Sequence, residues 1–271
     1  MTTAELKEKI KKTKKEALTL CMEGGYGPIS SAFSCADIVC TLYYEIMRLD
    51  PANPDWEERD RLILSKNHAG IIVMPVLRDL GFISAEEYET ILKIGSERTS
   101  HTDIRFPGME FSGGALGIGL GVAAGIAYAA KTDRHDFLTF CILGDAECCE
   151  GSVWESSMFA GTQKLRNLIA IVDNNGLAVT DYTSNMIDMS RMRDKWEANG
   201  WDVLQINGHC ADELLSVLGS VRNRPSEKPL CIIADTRKGK GIRFMEGQLG
   251  WHGTLPKKDQ MEEALAQLEE E

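Results

Sequence analysis

The sequence has 271 residues, 43% of them hydrophobic, which is enough for a substantial core and fits one large α/β domain over 1–271 with helical extensions at both ends. A net charge of -11 without a broad basic stripe excludes a general nucleic-acid role, and the lysines from Lys7 to Lys15 and acids from Glu262 to Glu271 read as solvated terminal helices. Met1 to Leu20 has no apolar core ahead of a cleavage site, and the eight cysteines lack CxxC spacing and include Cys40, Cys141 and Cys231 inside apolar runs, so a cytoplasmic protein with reduced thiols is expected.

Leu6, Ile10, Ala17 and Leu20 share one side of an amphipathic helix expected from Thr3 to about Glu23. Gly24 to Pro28 breaks it, Ser34 is placed to cap a second helix running to about Arg48, and Asp50 to Pro54 is a turn-rich connector. Arg61 to Ser65 is the first strand, and His68 follows it at the start of a helix ending near Gly81. At that junction a histidine faces the ligand crevice of an α/β sheet or caps a helix. Ser84 and Glu87 form a capping box, and Ser96 to Gly108 is a polar loop carrying His101. Ser112 to Lys131 holds six glycines among small apolar residues; their density argues for a buried helix rather than a membrane span, with an entrance open to a ligand's close approach. Ile187 to Asn199 and Ala211 to Arg224 read as helices, Trp201 to Ile206 and Pro229 to Ala234 as strands. A loop-like stretch from Thr236 to Gly253 precedes a polar helix from about Lys258.

The centre of the chain is Gly144 to Leu177. Phe137 to Leu143 ends in Gly144-Asp145, and Asn167 to Val172 ends in Asp173-Asn174-Asn175. Both runs are short, β-branched and bounded by turn residues, and Gly151 to Gly161 between them has helical spacing. Strand, helix, strand implies a crossover and two parallel strands, so the whole chain reads as a doubly wound, mostly parallel sheet with helices on both faces. Asp145 and Asn175 then meet at the carboxyl ends of neighbouring strands, where ligands bind. A carboxylate, an amide oxygen and a backbone carbonyl there suit a hard cation such as Mg²⁺ that also holds a diphosphate; the plainer reading is a loop cap and a turn. Cys148 and Cys149 lie close by, and small side chains in a tight turn are favoured over a redox pair.

Gly-Asp followed one crossover later by Asn-Asn resembles the thiamine diphosphate motif. The words EGSVWESSMFAG, LRNLIAIVDNNGL, LSKNHA, TRKGKGIRFMEG and WHG, in order from about Ser30 to Gly253, resemble the transketolase family in its split-gene form. The resemblance implies a thiamine diphosphate-binding fold in which Asp145, Asn175 and the carbonyl of Leu177 hold Mg²⁺ (or Ca²⁺ or Mn²⁺). It places His68 and His252 near diphosphate and substrate, and His101 at substrate hydroxyls. Gly114 and Leu116 would line the cofactor cleft, with Gly144 and Ala146 in the motif itself. It gives Lys238 a loop that closes over the site, and gives Glu150 and Glu155 a role between paired sites across a subunit interface; by themselves those two read as a solvated helix start. The implied activity is transfer of a two-carbon ketol unit from a ketose donor to an aldehyde acceptor. The family's second, pyrimidine-binding domain is not in this sequence, so the resemblance implies that a separate C-terminal subunit supplies it, in an α2β2 heterotetramer.

Four positions depart from the family pattern. Pro28 stands where a substrate-contacting histidine is usual, Ala146 follows Asp145 in place of glycine, Ile118 replaces a glutamine and Asn67 replaces a glycine before His68. These point to an altered substrate more than to a lost cofactor. The competing readings are a subunit of a 2-oxo acid decarboxylase or dehydrogenase using the same cofactor, and a non-catalytic assembly subunit. TRKGKG and WHG weigh against the first, and the retained Asp145, Asn175 and histidines against the second.

Overall fold

A computed structural model describes residues 1–271. Five strands, β1 (Arg61–Leu64), β2 (Thr139–Gly144), β3 (Leu168–Asn174), β4 (Asp202–Asn207) and β5 (Leu230–Asp235), form one sheet in the order β1-β2-β3-β5-β4. Every pairing is parallel, as the alternation of strand and helix requires. The register sets Gly144 opposite Asp173 and Asn174 opposite Asp235, so the polar ends of β2, β3 and β5 come out together.

Alternation along the strands divides the interior into two cores. Phe140, Ile142, Ile169, Ile171 and Ile232 point to one face. There they meet α1 (Thr3–Gly24), α2 (Ile29–Ser34), α3 (Ala36–Thr41), α4 (Val73–Leu80), α5 (Ala85–Glu89), α9 (Ala211–Ser220) and α10 (Met261–Glu270). Cys141, Leu143, Ala170, Val172 and Ile233 point to the other, against α6 (Gly119–Asp133), α7 (Gly151–Thr162) and α8 (Met192–Ala198). All eight cysteines are free thiols. No helix is long and apolar enough to cross a membrane.

Most elements fall where the sequence puts them, and both ends of α1 have clear causes. Thr2 and Glu5 form a capping box at its start, and Gly25 takes the left-handed conformation at its end. The Ser84–Glu87 box caps α5. Three expectations are corrected. Ser34 caps nothing: it is the last residue of α2, fully buried, and its hydroxyl reaches across the fold to Asp173. The glycine-rich helix begins at Gly119, not Ser112. Gly117 has φ +82, and a Cβ there would lie 2.5 Å from Ser152 Oγ, so this residue is a tight turn against α7. The helix expected from Ile187 covers only Met192–Ala198.

Candidate functional site

The carboxyl ends of β2, β3 and β5 open onto a cleft with about 730 Å³ of space, solvent included, a size typical of small-molecule sites. Asp145 forms its floor. It is 2% exposed, and only main-chain amides reach it: Ala146 N donates to Oδ1 at 2.9 Å and Gly176 N to Oδ2 at 2.7 Å. Burial, then the nearby carboxylate of Asp173, pushes its carboxyl up to about 6. Asn175 sits beside it; its Oδ1 accepts from Leu177 N at 3.0 Å and its Nδ2 donates to Ser34 Oγ at 3.0 Å.

A second, completed network lies behind this floor. Asp173 is fully buried and ion-paired with the ammonium of Lys66. Ser34 Oγ donates to Asp173 Oδ1 at 2.7 Å, and the Thr236 hydroxyl binds the same oxygen. Burial opposes both charges, but each offsets the other's cost: the Asp173 carboxyl is held below its ordinary value and the Lys66 ammonium above its own. Lys66 Nζ also donates to Ser31 O at 3.2 Å. Glu147, 1% exposed, is a third buried acid, accepting from Ser65 Oγ, from Gly117 N at 2.8 Å and from Gly144 N at 3.0 Å. Burial pushes it upward, while those bonds pull against the shift.

Opposite Asp145 stand His68, His252 and Lys238. The two rings are tilted with centroids 5.1 Å apart. Lys238, 3% exposed, donates to Ala178 O at 3.0 Å and lies 3.0 Å from His252 Nδ1. An ammonium can only donate, so Nδ1 is the acceptor and the ring proton belongs on Nε2. Burial, then the charge of Lys66, brings His68 down to about 2; burial, then Lys238, brings His252 down to about 4. Both are therefore neutral near pH 7. Burial, then Lys66, lowers Lys238 to about 8, which leaves it mostly charged at that pH.

The cleft brings together Asp145, Asn175, Leu177, His68, Lys238 and His252, with Leu116, Gly144, Ala146 and Glu150 completing its wall and rim. Ala146 has no positive φ, so alanine in place of glycine carries no backbone strain. Three expected residues are not part of the lining. Gly114 is exposed in the loop before Leu116. His101 packs its Nδ1 3.2 Å from Ser100 Oγ. Glu155 is solvent-facing on α7, over one turn beyond the rim residue Glu150. Asn67 meets a single partner with its whole amide. Its Oδ1 accepts from Thr102 N at 2.7 Å and Thr102 Oγ1 at 2.6 Å, and its Nδ2 donates to Thr102 O at 2.9 Å. It clips the His101 loop to the turn that follows β1. Pro28 precedes α2 outside the lining, and its carbonyl accepts from Ser31 N at 3.1 Å. Ser31 does line the cleft. Sequence reasoning missed Lys66, Glu147 and Asp173. A charged residue set inside or beside an apolar run was the available signal for each.

No three His, Cys, Asp or Glu side chains group into a metal cage. A cation here must instead use one carboxylate with amide and main-chain oxygens, a hard donor set. The residues fit that role, because Asp145 is a buried acid with no cation of its own and each of its oxygens retains a lone pair.

Residues 14–269 match the transketolase thiamine diphosphate binding domain. The chain is 38% identical to an apulose-4-phosphate transketolase subunit of Phocaeicola vulgatus over 96% of its own length and 92% of that protein's. It is 37% identical to the 6-deoxy-6-sulfo-D-fructose transketolase subunit SqwG of a Clostridium species, over 91% and 90%. The mouse transketolase is 34% identical over 97% of this chain, which spans 42% of that protein. Among solved structures, the Campylobacter jejuni transketolase superposes with a TM-score of 0.93 at 29% identity over 99% of this chain and 43% of that one. The cleft, its sequence words and these likenesses agree, and the chain belongs to the transketolase family through its thiamine diphosphate binding domain.

Proposed function

We propose that this chain is the diphosphate-binding subunit of a split, thiamine diphosphate- and Mg²⁺-dependent transketolase that moves a two-carbon ketol unit from a ketose donor to an aldehyde acceptor. The observation that carries it is Asp145: a buried carboxylate without a cation, beside Asn175, at the carboxyl edge of a parallel sheet. Asp145, the Asn175 amide oxygen and the Leu177 carbonyl would hold Mg²⁺ (Ca²⁺ or Mn²⁺ could take the same oxygens). Lys238 and the Nε2–H of His252 offer charge and a donor to diphosphate or substrate oxygens, and His68 adds a second neutral imidazole. Leu116, Gly144 and Ala146 shape the wall. Bound thiamine diphosphate would supply the carbon nucleophile, which no side chain of the cleft provides.

The reading includes a partner. Two relatives of nearly the same length carry subunit names, and the chain spans about two fifths of the single-chain transketolases it matches. Ile118, Tyr128, Met158 and Phe159 are large exposed apolar side chains at α6 and α7, near Glu155; this strip supports association into a heterotetramer with a C-terminal subunit. Two cores on opposite faces of one continuous sheet support a single domain, and eight free thiols support a cytoplasmic setting. The relatives' names point to modified ketoses, phosphorylated or sulfonated, and not to 2-oxo acids. With Pro28 outside the lining, Ser31 is the hydroxyl left to meet a sugar on that side.

Reconstitution with the partner tests the reading. Titration calorimetry should show thiamine diphosphate binding that requires Mg²⁺, and turnover should appear only with both subunits. A donor panel on wild type and Pro28→His should show poor use of xylulose 5-phosphate by the wild type. Absence of cofactor binding by the pair would overturn the function, and efficient use of xylulose 5-phosphate would overturn the altered substrate.

A further inference from the structure

The loop that brings Lys238 into the cleft has no regular structure of its own, yet Lys238 is buried. Its backbone is held both from a distant segment and from within the loop. Gly239 N donates to Ser30 O at 2.8 Å, and Gly247 N to Lys238 O at 2.9 Å. The residue before Lys238 has an unusual support: Arg237 N donates to His209 Nε2 at 2.8 Å. His209 lies in the turn between β4 and α9, and its own amide is fixed by Asn207 Oδ1 at 2.9 Å.

The other ring nitrogen continues inward. His209 Nδ1 lies 3.2 Å from Asp37 Oδ2 on α3. A backbone amide can only donate, so Nε2 must accept, and the proton of the neutral ring belongs on Nδ1, aimed at Asp37. Asp37 in turn lies 3.6 Å from the ammonium of Lys14, which is 0% exposed on α1. Lys14 Nζ donates to Glu271 at 2.9 and 2.8 Å. A polar strut thus runs from Glu271 through Lys14, Asp37 and His209 to the main chain at Arg237. Its links to Glu271, at His209 and at Arg237 are hydrogen bonds, while Lys14 and Asp37 meet as an ion pair at 3.6 Å; removing the His209 ring leaves the Asp37 carboxylate and the Arg237 amide each short of one partner.

We propose that His209 is a positioning residue for the cofactor cleft, fixing the Arg237 amide and through it the ammonium of Lys238. This rests on the function proposed above for its catalytic consequence, but the strut itself can be tested without the cofactor. Two substitutions separate its two bonds. The amide of Gln reaches the place of the ring Nε2 and can accept from Arg237; the shorter amide of Asn reaches only the place of Nδ1 and keeps the bond to Asp37. Hydrogen–deuterium exchange of the full chain reads the loop directly. His209→Asn should speed exchange across residues 236–241 at least tenfold with the sheet strands unchanged, while His209→Gln stays near wild type. In the reconstituted pair, His209→Asn should weaken thiamine diphosphate binding about tenfold, with His209→Gln restoring most of it.

Equal exchange of residues 236–241 in both variants, whether at the wild-type rate or faster, would overturn the strut. If His209→Asn opens the whole chain, Asp37→Ala serves in its place, since it removes the acceptor of the Nδ1–H: it should speed exchange at 236–241 more than in the strands, and the reverse order also overturns the strut. Failure of the wild-type pair to bind the cofactor would remove the functional reading, and the exchange result would still decide the strut.

Discussion

The tips of β2 and β3 lie side by side and each carries a buried aspartate, but the two acids live in opposite surroundings. Asp173 has Lys66, Ser34 and Thr236 around it, and its charge is held below the ordinary carboxylate range. Asp145 has two backbone amides and no cation, and burial with its like-charged neighbour pushes it up to about 6. The fold neutralises one carboxylate internally and leaves the other as the open half of an ion pair. Lys66 is near enough to be felt at both, but its hydrogen bonds go to Asp173 and Ser31. A buried carboxylate without a cation at a strand end is a functional-site candidate, and it supports the cation site proposed above.

The contrast can be broken most forcefully at Lys66. Lys66→Met strands Asp173 as an uncompensated buried charge and should cost about 3–5 kcal/mol, read as a fall in denaturation midpoint. Asp145→Asn removes a charge that has no cation but gives up one of the two amide bonds the carboxylate accepts, and should cost at most about 1.5 kcal/mol, well below the loss at Lys66. Equal losses in the two variants would mean that the acids are not different in kind. Function should separate them the other way. Asp145→Ala in the reconstituted pair should weaken Mg²⁺-dependent thiamine diphosphate binding by about 100-fold or more, equivalent to about 2.7 kcal/mol; unchanged affinity in calorimetry would remove Asp145 from the metal site.

The smallest effect sharpens the comparison from the cation side. Lys238 is lowered from an ordinary 10.5 to about 8 in the folded chain. A depressed value means that its deprotonation favours the fold: that contribution is fully present above about 10.5 and is lost as pH falls through about 8. Anion binding needs the charged form and has the opposite dependence. Diphosphate affinity should hold from pH 7 to about 8 and then fall by up to about tenfold per pH unit, about 1.4 kcal/mol. Lys238→Met should bind weakly with no such fall, and a wild-type profile flat to pH 9.5 would contradict the assignment.

The sheet was legible because its strands are short apolar runs ended by turn residues, and Asp145 and Asn175 were legible because they are those endings. Local chemistry also gave the capping box at Ser84. The support behind the site was not legible, since its partners are far apart along the chain: Ser34 meets Asp173 across 139 positions, and Lys66 meets it across 107. Ser34 has the composition of a helix cap, and only the three-dimensional path of α2 turns its hydroxyl inward. Glu147 stands between Ala146 and Cys148 in a short turn, with nothing local to show that it collects three donors inside. Periodicity reports which face a residue takes, and it carries no information on which distant group waits there.

Asn67 has a consequence for how the cleft meets its ligand. With three hydrogen bonds to Thr102, it seats the segment around His101 against the turn after β1, and Gly70 leaves the space for it: a Cβ there would lie 2.7 Å from Ser100 O. Ordering a residue's backbone costs about 1–2 kcal/mol. Here that entropy is lost during folding, before any ligand arrives, and none of it is subtracted from association. A glycine at position 67 would return the ordering step to the encounter itself. The segment behind His68 is thus ordered by the fold itself.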